Sequence, residues 1–369
     1  MNSAIRRIAI STGGGDAPGL NAVIHAVVKA AHQRQWECYG IREGFNGILR
    51  PDRYPQDGII PLSTQMVEQI SHLGGTILGT TNHGNPLHYP TTMPDGSVQE
   101  CDRTPDIHRA LQEHQIDALI CIGGDGTLTI ANALHEQGLR VIGVPKTIDN
   151  DLDKTFTTFG FDTAVAFATE CVDRLHSTAA AHQRIMVVEV MGRYAGWIAL
   201  HSGLASHAHA ILLPEIPYDS AKLSDFLIAR EQAGHHYSIV LAAEGATTIQ
   251  GQREVQQAAS AGYVERLGGI GEQLAHSLQA STGKEARAVV LGHLLRGGSP
   301  TAFDRVSALR FGAAAVRALE QDMSGVMVAL AFPNVNYVPL AEVAGRMKAV
   351  PADSDTLQTA RDLGICLGD

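Results

Sequence analysis

The chain has 369 residues, 44% hydrophobic and 18% charged, which is the composition of a globular protein large enough for two domains and excludes a collagen-like or disordered chain. Acidic residues outnumber basic ones by 38 to 28, and the formal net charge of -10 argues against general binding to nucleic acid or anionic membranes. Five scattered cysteines, Cys38, Cys101, Cys121, Cys171 and Cys366, include no C-x-x-C pair, so reduced thiols in a cytoplasmic protein are expected, with no zinc cluster.

Arg6-Arg7 is followed only by Ile8-Ala9-Ile10 before Ser11, too short an apolar run for an export signal. No apolar run approaches the roughly 18–20 residues of a membrane span. Arg7-Ile8-Ala9-Ile10 reads as a strand running into the turn Gly13 to Gly19. Leu20, Val23, Ile24, Val27, Val28 and Ala31 then recur at helical spacing. The Gly/His/Asn-rich stretch from Gly74 to Pro90 reads as a loop that could cover a site. A strand from Ala118 to Ile122 ends at Gly123-Gly124-Asp125-Gly126, and Leu128 to Leu134 reads as helix. Val141 to Val144 forms the next strand, stopping at Pro145 and the polar stretch Lys146 to Asp153. Ile185 to Val190 leads through Gly192-Arg193 to a helix from Trp197 to Ala205. Further strands are expected at Ala210 to Leu213, Ile239 to Ala243 and Ala288 to Leu291. The polar tail from Val350 is read as having a mobile end.

Short apolar strands without alternation are buried on both faces, as in parallel sheets covered by helices. The expected class is therefore α/β, with two doubly wound, three-layer, Rossmann-like domains, mostly parallel sheets and a site in the cleft between them. Residues 1–160 plus about 295–345 are assigned to one domain and 161–294 to the other, with 346–369 as a tail packing on both. Ligands bind at the C-terminal ends of such strands, where Asp16, Asp125, Asp149, Arg193, Glu244 and His293 fall.

Gly13-Gly14-Gly15 either cradles a phosphate beside a helix N-terminus or makes a plain tight turn. It matches neither G-x-x-x-x-G-K-[ST] nor G-x-G-x-x-G. In Gly124-Asp125-Gly126-Thr127 a lone carboxylate is either an N-cap or a magnesium ligand. Asp149, Asp151 and Asp153 alternate in the third loop and share one face if the chain is extended. That loop is either a solvated turn or a site for a general base beside a metal. Arg184, Arg193, Arg287 and Arg296 suit a phosphorylated substrate, each with a surface salt bridge as its plainer reading. His207, His209, His235 and His236 lack a metal frame and are read as structural or solvent-exposed.

These motifs together resemble the phosphofructokinase family. The matching stretches are GGGDAPGLNAVI (13–24), GGDGTL (123–128), PKTIDNDL (145–152), HQRI (182–185), VEVMGRYAGW (188–197), PE (214–215), AEG (243–245) and LGHLLRGGSPTAFDR (291–305). The resemblance implies phosphorylation of fructose 6-phosphate on its 1-hydroxyl, with Mg2+ and with ATP as donor, pyrophosphate being the alternative donor. It implies Asp149 as the base, flanked by Thr147 and Asp151, with Asp125 holding the magnesium. Gly14, Gly15, Gly124, Gly126, Thr127 and Lys146 would meet the donor, and Arg193 would stabilise the transferring group. Arg184, Met191, Gly192, Glu244, Arg287, His293 and Arg296 would meet the sugar phosphate. Arg184 and Arg287 would reach the site of a neighbouring subunit, which implies a homo-oligomer, a tetramer or dimer, binding neither nucleic acid nor membrane.

Some positions depart from the family pattern. Asn82 stands where ATP-using bacterial members often carry arginine. The positions of the family's basic effector site read His25, Lys29 and His176. Gly126 is the residue of ATP users, whereas Lys146 is the residue of pyrophosphate users. An Asp at 126 would obstruct the nucleotide's α-phosphate and glycine leaves that space open, so the expectation is ATP.

Overall fold

The computed structural model describes residues 5–251, 255–257 and 266–369. Two main sheets organise it. The larger has seven strands, in the spatial order Asn334–Pro339, Val326–Ala331, Val141–Pro145, Ala118–Gly123, Arg7–Thr12, Glu37–Ile41 and Ile59–Leu62. Its inner strands run parallel, and both edges, Asn334–Pro339 and Ile59–Leu62, pair antiparallel. The smaller sheet is wholly parallel, in the order Ala286–Val290, Ile185–Val190, Ser238–Ala243 and Ala210–Leu212.

Alternate strand residues feed opposite layers of core, which is why these runs are apolar throughout. Ile8, Ile10, Ile120 and Ile122 face the helices Leu20–His32 and Ala302–Glu320. Ala9, Leu119 and Cys121 face Thr104–Glu113 and Asp125–Glu136. The smaller sheet repeats the plan. Met186, Val188 and Val190 pack on Phe161–His182 and Trp197–Ala205, while Ile185 and Val187 pack on Ser220–Gln232 and Ile270–Thr282. Both sheets are thus covered on both faces, as a doubly wound fold requires.

Strand order places the ligand loops. In the larger sheet the chain leaves Arg7–Thr12 toward one edge and Ala118–Gly123 toward the other, although these strands are neighbours. Their diverging exits open a crevice at the strands' C-terminal ends. In the smaller sheet Ile185–Val190 lies between Ser238–Ala243 and Ala286–Val290, so the loops after these three strands cluster.

Two expectations need correction. The strand expected at 288–291 runs from Ala286 to Val290, because pairing with Ile185–Val190 draws in Ala286 and Arg287. The end of the tail is anchored rather than mobile. Asp355–Asp362 is helical, Leu357, Ala360 and Leu367 join the core, and Cys366 exchanges backbone hydrogen bonds with Ile211 and His209. Apolar residues spaced among polar ones gave that segment a buried stripe. Among the described residues, no helix is long and apolar enough to cross a membrane.

Candidate active site

The glycine turn after Arg7–Thr12 is held from two sides. Gly13 N–H donates to Ile122 O at 2.9 Å and Gly14 N–H to Thr81 O at 3.0 Å, while the Thr80 hydroxyl donates to Gly14 O. Gly14 has φ +77°, a left-handed backbone that disfavours a side chain. The stretch from Gly74 to Pro90 thus packs beside this turn through Thr80 and Thr81. Lys146 enters from the next loop and donates to Gly15 O. Burial, then Arg296, push its ammonium down to about 8.

The helix after the glycine turn begins at Leu20, where its apolar spacing predicts, so Asp16-Ala17-Pro18-Gly19 separate its N-terminus from the glycines. The helix end available to a phosphate is instead that of Asp125–Glu136, whose N-cap Gly124 supplies no capping side chain. Asp125 is exposed there, and its Oδ1 accepts Gly345 N–H at 2.7 Å. Gly126 is exposed too, and a Cβ at that position would meet nothing within 4 Å.

The third loop does not display its carboxylates on one face. Asn150 has φ +52°, which breaks the extended alternation, and Asp153 Oδ1 accepts Lys154 N–H. Asp149 is buried, with its own N–H on Thr147 Oγ1 and its Oδ1 without a hydrogen-bond partner. Burial raises its carboxyl above the usual range, against the pull of Arg296 and, more weakly, of Arg193 and Lys146. Asp151 is pushed up to about 6 by burial and by Asp149.

The smaller sheet supplies the opposite wall. Arg193 has φ +51°, and its N–H donates to Glu244 Oε1 at 3.1 Å, joining two strand-end loops. Burial raises the Glu244 carboxyl. Met191 packs at the edge of the core, next to buried Gly192. His293 and Arg296 lie on the short 3-10 turn Gly292–Arg296. Arg296 reaches the glycine turn of the larger sheet, donating to Asp16 O at 3.2 Å, and crowds Gly15, where a Cβ would collide with its guanidinium.

Arg184 and Arg287 are not part of this convergence. They lie at the N-terminal end of the smaller sheet, where both pair with Glu285, Arg184 at 3.1 Å and Arg287 at 2.6 Å. The candidate effector positions lie elsewhere too, with His25 on Val67 O and His176 on Ser206 O.

Three residues in the surrounding framework escaped the sequence reading. Asn150 Oδ1 accepts Thr158 N–H and the ammonium of Lys348. Asp304 is fully buried and holds Thr163 through both N–H and hydroxyl. Asn150 and Asp304 lie inside quoted motifs, so a signal existed; Lys348 stands in a segment without motif or periodicity.

The family model for phosphofructokinases matches residues 7–319. The chain belongs to the phosphofructokinase family. It is 48% identical over 369 residues to the ATP-dependent 6-phosphofructokinase of Chloroflexus aurantiacus, covering 100% of this chain and 99% of that one. It is also 47% identical over 351 residues to the pyrophosphate–fructose 6-phosphate 1-phosphotransferase of Amycolatopsis methanolica, covering 94% and 97%. Overall identity to phosphofructokinases with either donor is therefore nearly equal. Among solved structures, the pyrophosphate-dependent phosphofructokinase of Marinobacter aquaeolei superimposes with a TM-score of 0.80 at 22% identity, covering 98% of this chain and 92% of that one, which bears on the fold alone.

Proposed function

We propose that this phosphofructokinase is a Mg2+-dependent 6-phosphofructokinase, transferring the γ-phosphoryl group of ATP to the 1-hydroxyl of fructose 6-phosphate to give fructose 1,6-bisphosphate. The observation that carries the reading is Asp149, whose buried Oδ1 has no partner and whose surroundings include Arg193, Arg296 and Lys146. A carboxylate with a raised pKa and a vacant acceptor oxygen is suited to take a proton from a hydroxyl. Three cations around it suit the charge on a transferring phosphoryl group.

Thr147 orients the base through its N–H, and Asp151 reinforces the demand for a proton at the pair. Arg193, positioned by Glu244, would meet the phosphoryl group, while His293 and Arg296 would bind the sugar phosphate beside Met191, Gly192 and Glu244. Gly14, Gly15, Gly124, Gly126 and Thr127 would receive the donor phosphates. Among the described residues no group of three His, Cys, Asp or Glu side chains forms a metal cage. A lone exposed Asp125 therefore fits a magnesium ion shared with donor phosphates rather than one enclosed by protein. When bound, the ion would neutralise phosphate charge.

ATP is preferred as donor because Gly126 borders open space. Lys146 and the Amycolatopsis relative favour pyrophosphate as the second reading. Residues 1–160 with about 295–345 would form the donor domain and 161–294 the sugar-phosphate domain, with 346–369 as tail. Arg184 and Arg287, remote from this chain's own site, would serve a neighbouring subunit in a cytoplasmic homo-oligomer, a tetramer or dimer. Turnover of fructose 6-phosphate with Mg-ATP against Mg-pyrophosphate tests the assignment; absence of turnover with both donors contradicts it.

A further inference from the structure

Residues 345–350 form a strap across three loops of the site. Gly345 N–H holds Asp125 Oδ1 at 2.7 Å, on the donor side. Lys348 N–H donates to Asp151 O at 2.8 Å, and Met347 bridges to Leu152, on the base loop. Val350 N–H donates at 2.8 Å to Glu215 Oε1, and the same carboxylate accepts Gly196 N–H, just beyond Arg193. The strap lies past residue 319, where the family match ends.

Lys348 is its centre. Its ammonium donates to Asn150 Oδ1 at 2.9 Å, Thr155 O at 3.1 Å and Phe156 O at 3.2 Å, which uses all its hydrogens. The Trp197 ring lies 5.5 Å from it, and Trp197 Nε1–H donates to Lys348 O at 2.8 Å. Asn150 is the left-handed residue between Asp149 and Asp151, so the ammonium grips the loop at its turning point. We propose that Lys348 is a positioning residue for phosphoryl transfer, holding Asn150 so that Asp149 meets the acceptor hydroxyl and adding a positive charge behind the carboxylate pair. The proposal rests on the assignment of Asp149 as base.

The charged groups around the pair come from every adjoining loop: Lys146, Arg193, Glu244 and Arg296 face Asp149. Lys348 itself faces Asp151 and Asp153, and on the other side His201. Lys348 enters from the tail and faces Asp151 of the pair. Removing its charge makes proton loss from the pair harder, so the acidic limb of kcat moves to higher pH.

The test is steady-state kinetics of the full chain with Mg-ATP and fructose 6-phosphate over a pH series, with thermal melting to check the fold. Lys348→Gln is expected to lower kcat about 10- to 100-fold through displacement of the base, with KM for Mg-ATP nearly unchanged. Its acidic limb shifts upward, whereas Lys348→Arg keeps the wild-type limb and recovers most of kcat. Wild-type kcat and limb in Lys348→Gln overturn the proposal. Equal losses in Lys348→Gln and Lys348→Arg with an unmoved limb also overturn it, leaving only structural support. Should Lys348→Gln fail to fold, Trp197→Phe loosens the strap while keeping a ring over the ammonium. With the lysine charge kept, the limb stays in place; lowered kcat with KM for Mg-ATP and the melting temperature at wild-type values then supports the proposal, and unchanged kcat, or a loss that follows a lowered melting temperature, overturns it. Substantial turnover by Asp149→Asn would sink the base assignment itself, a failure distinct from that of Lys348.

Discussion

The ammonium of Lys146 is buried beneath the glycine turn and donates to the carbonyl of Gly15. The lysine is therefore partly spent on main chain. It braces the turn that is expected to receive the transferring group, which weakens its value as a marker of pyrophosphate. The donor reading falls instead on Gly126.

Gly126→Asp reads that position cleanly, because a side chain there meets no protein atom within 4 Å. The variant should fold and lose ATP-dependent kcat/KM more than any pyrophosphate-dependent rate. One like-charge pair at 4 Å is worth about 4 kcal/mol at an effective dielectric near 20, and a third of that is about tenfold. Equal loss with both donors in a coupled assay would remove position 126 from donor selection.

Asp149→Asn preserves shape and removes the base. It should cut kcat by about 10²–10⁴ with a much smaller effect on fructose 6-phosphate affinity. In the wild type kcat should rise with pH as the buried pair ionises, Asp151 standing at about 6, since the base works deprotonated. Parallel pH profiles for wild type and variant would contradict the assignment.

Arg184 and Arg287 share Glu285 at the far end of the smaller sheet, so an intersubunit role makes a sharp prediction. Inactive Arg287→Ala mixed with inactive Asp149→Asn should regain activity after subunit exchange, because hybrid interfaces contain intact sites. Mixed oligomers seen by native mass spectrometry without recovered turnover would count against it.

Asp304 should make stability depend on pH. Burial pushes its carboxyl up to about 6, while Oδ2 accepts both Thr163 donors and Oδ1 has no partner. Its folded value lies above the unfolded one, so its stabilising contribution is full below about 4 and is lost as pH rises through about 6. Asp304→Asn keeps the acceptor oxygen and does not titrate. Relative to wild type it should gain stability between about pH 4 and pH 7.5, on the order of 3 kcal/mol at most. Melting curves that differ by a constant amount across this range would show that Asp304 does not titrate there.

Much of the frame was legible because both-faced burial demands strands without alternation: Ile185–Val190 appears with its sequence bounds. Most of the candidate site was marked by motifs at strand ends. The shape of the third loop was not, because alternation of Asp149, Asp151 and Asp153 says nothing of the left-handed turn at Asn150. Lys348 was hidden for a related reason. Its partners are main-chain carbonyls and one amide, brought near only by the tail's return across the fold.

The central claim is most directly tested by following fructose 1,6-bisphosphate formation at fixed fructose 6-phosphate and Mg2+, with ATP in one arm and pyrophosphate in the other. The account predicts robust turnover with ATP and a kcat/KM for pyrophosphate lower by about tenfold or more, the scale of one lost phosphate contact. Turnover with pyrophosphate alone would contradict it, and Lys146 would then outweigh Gly126 in choosing the donor.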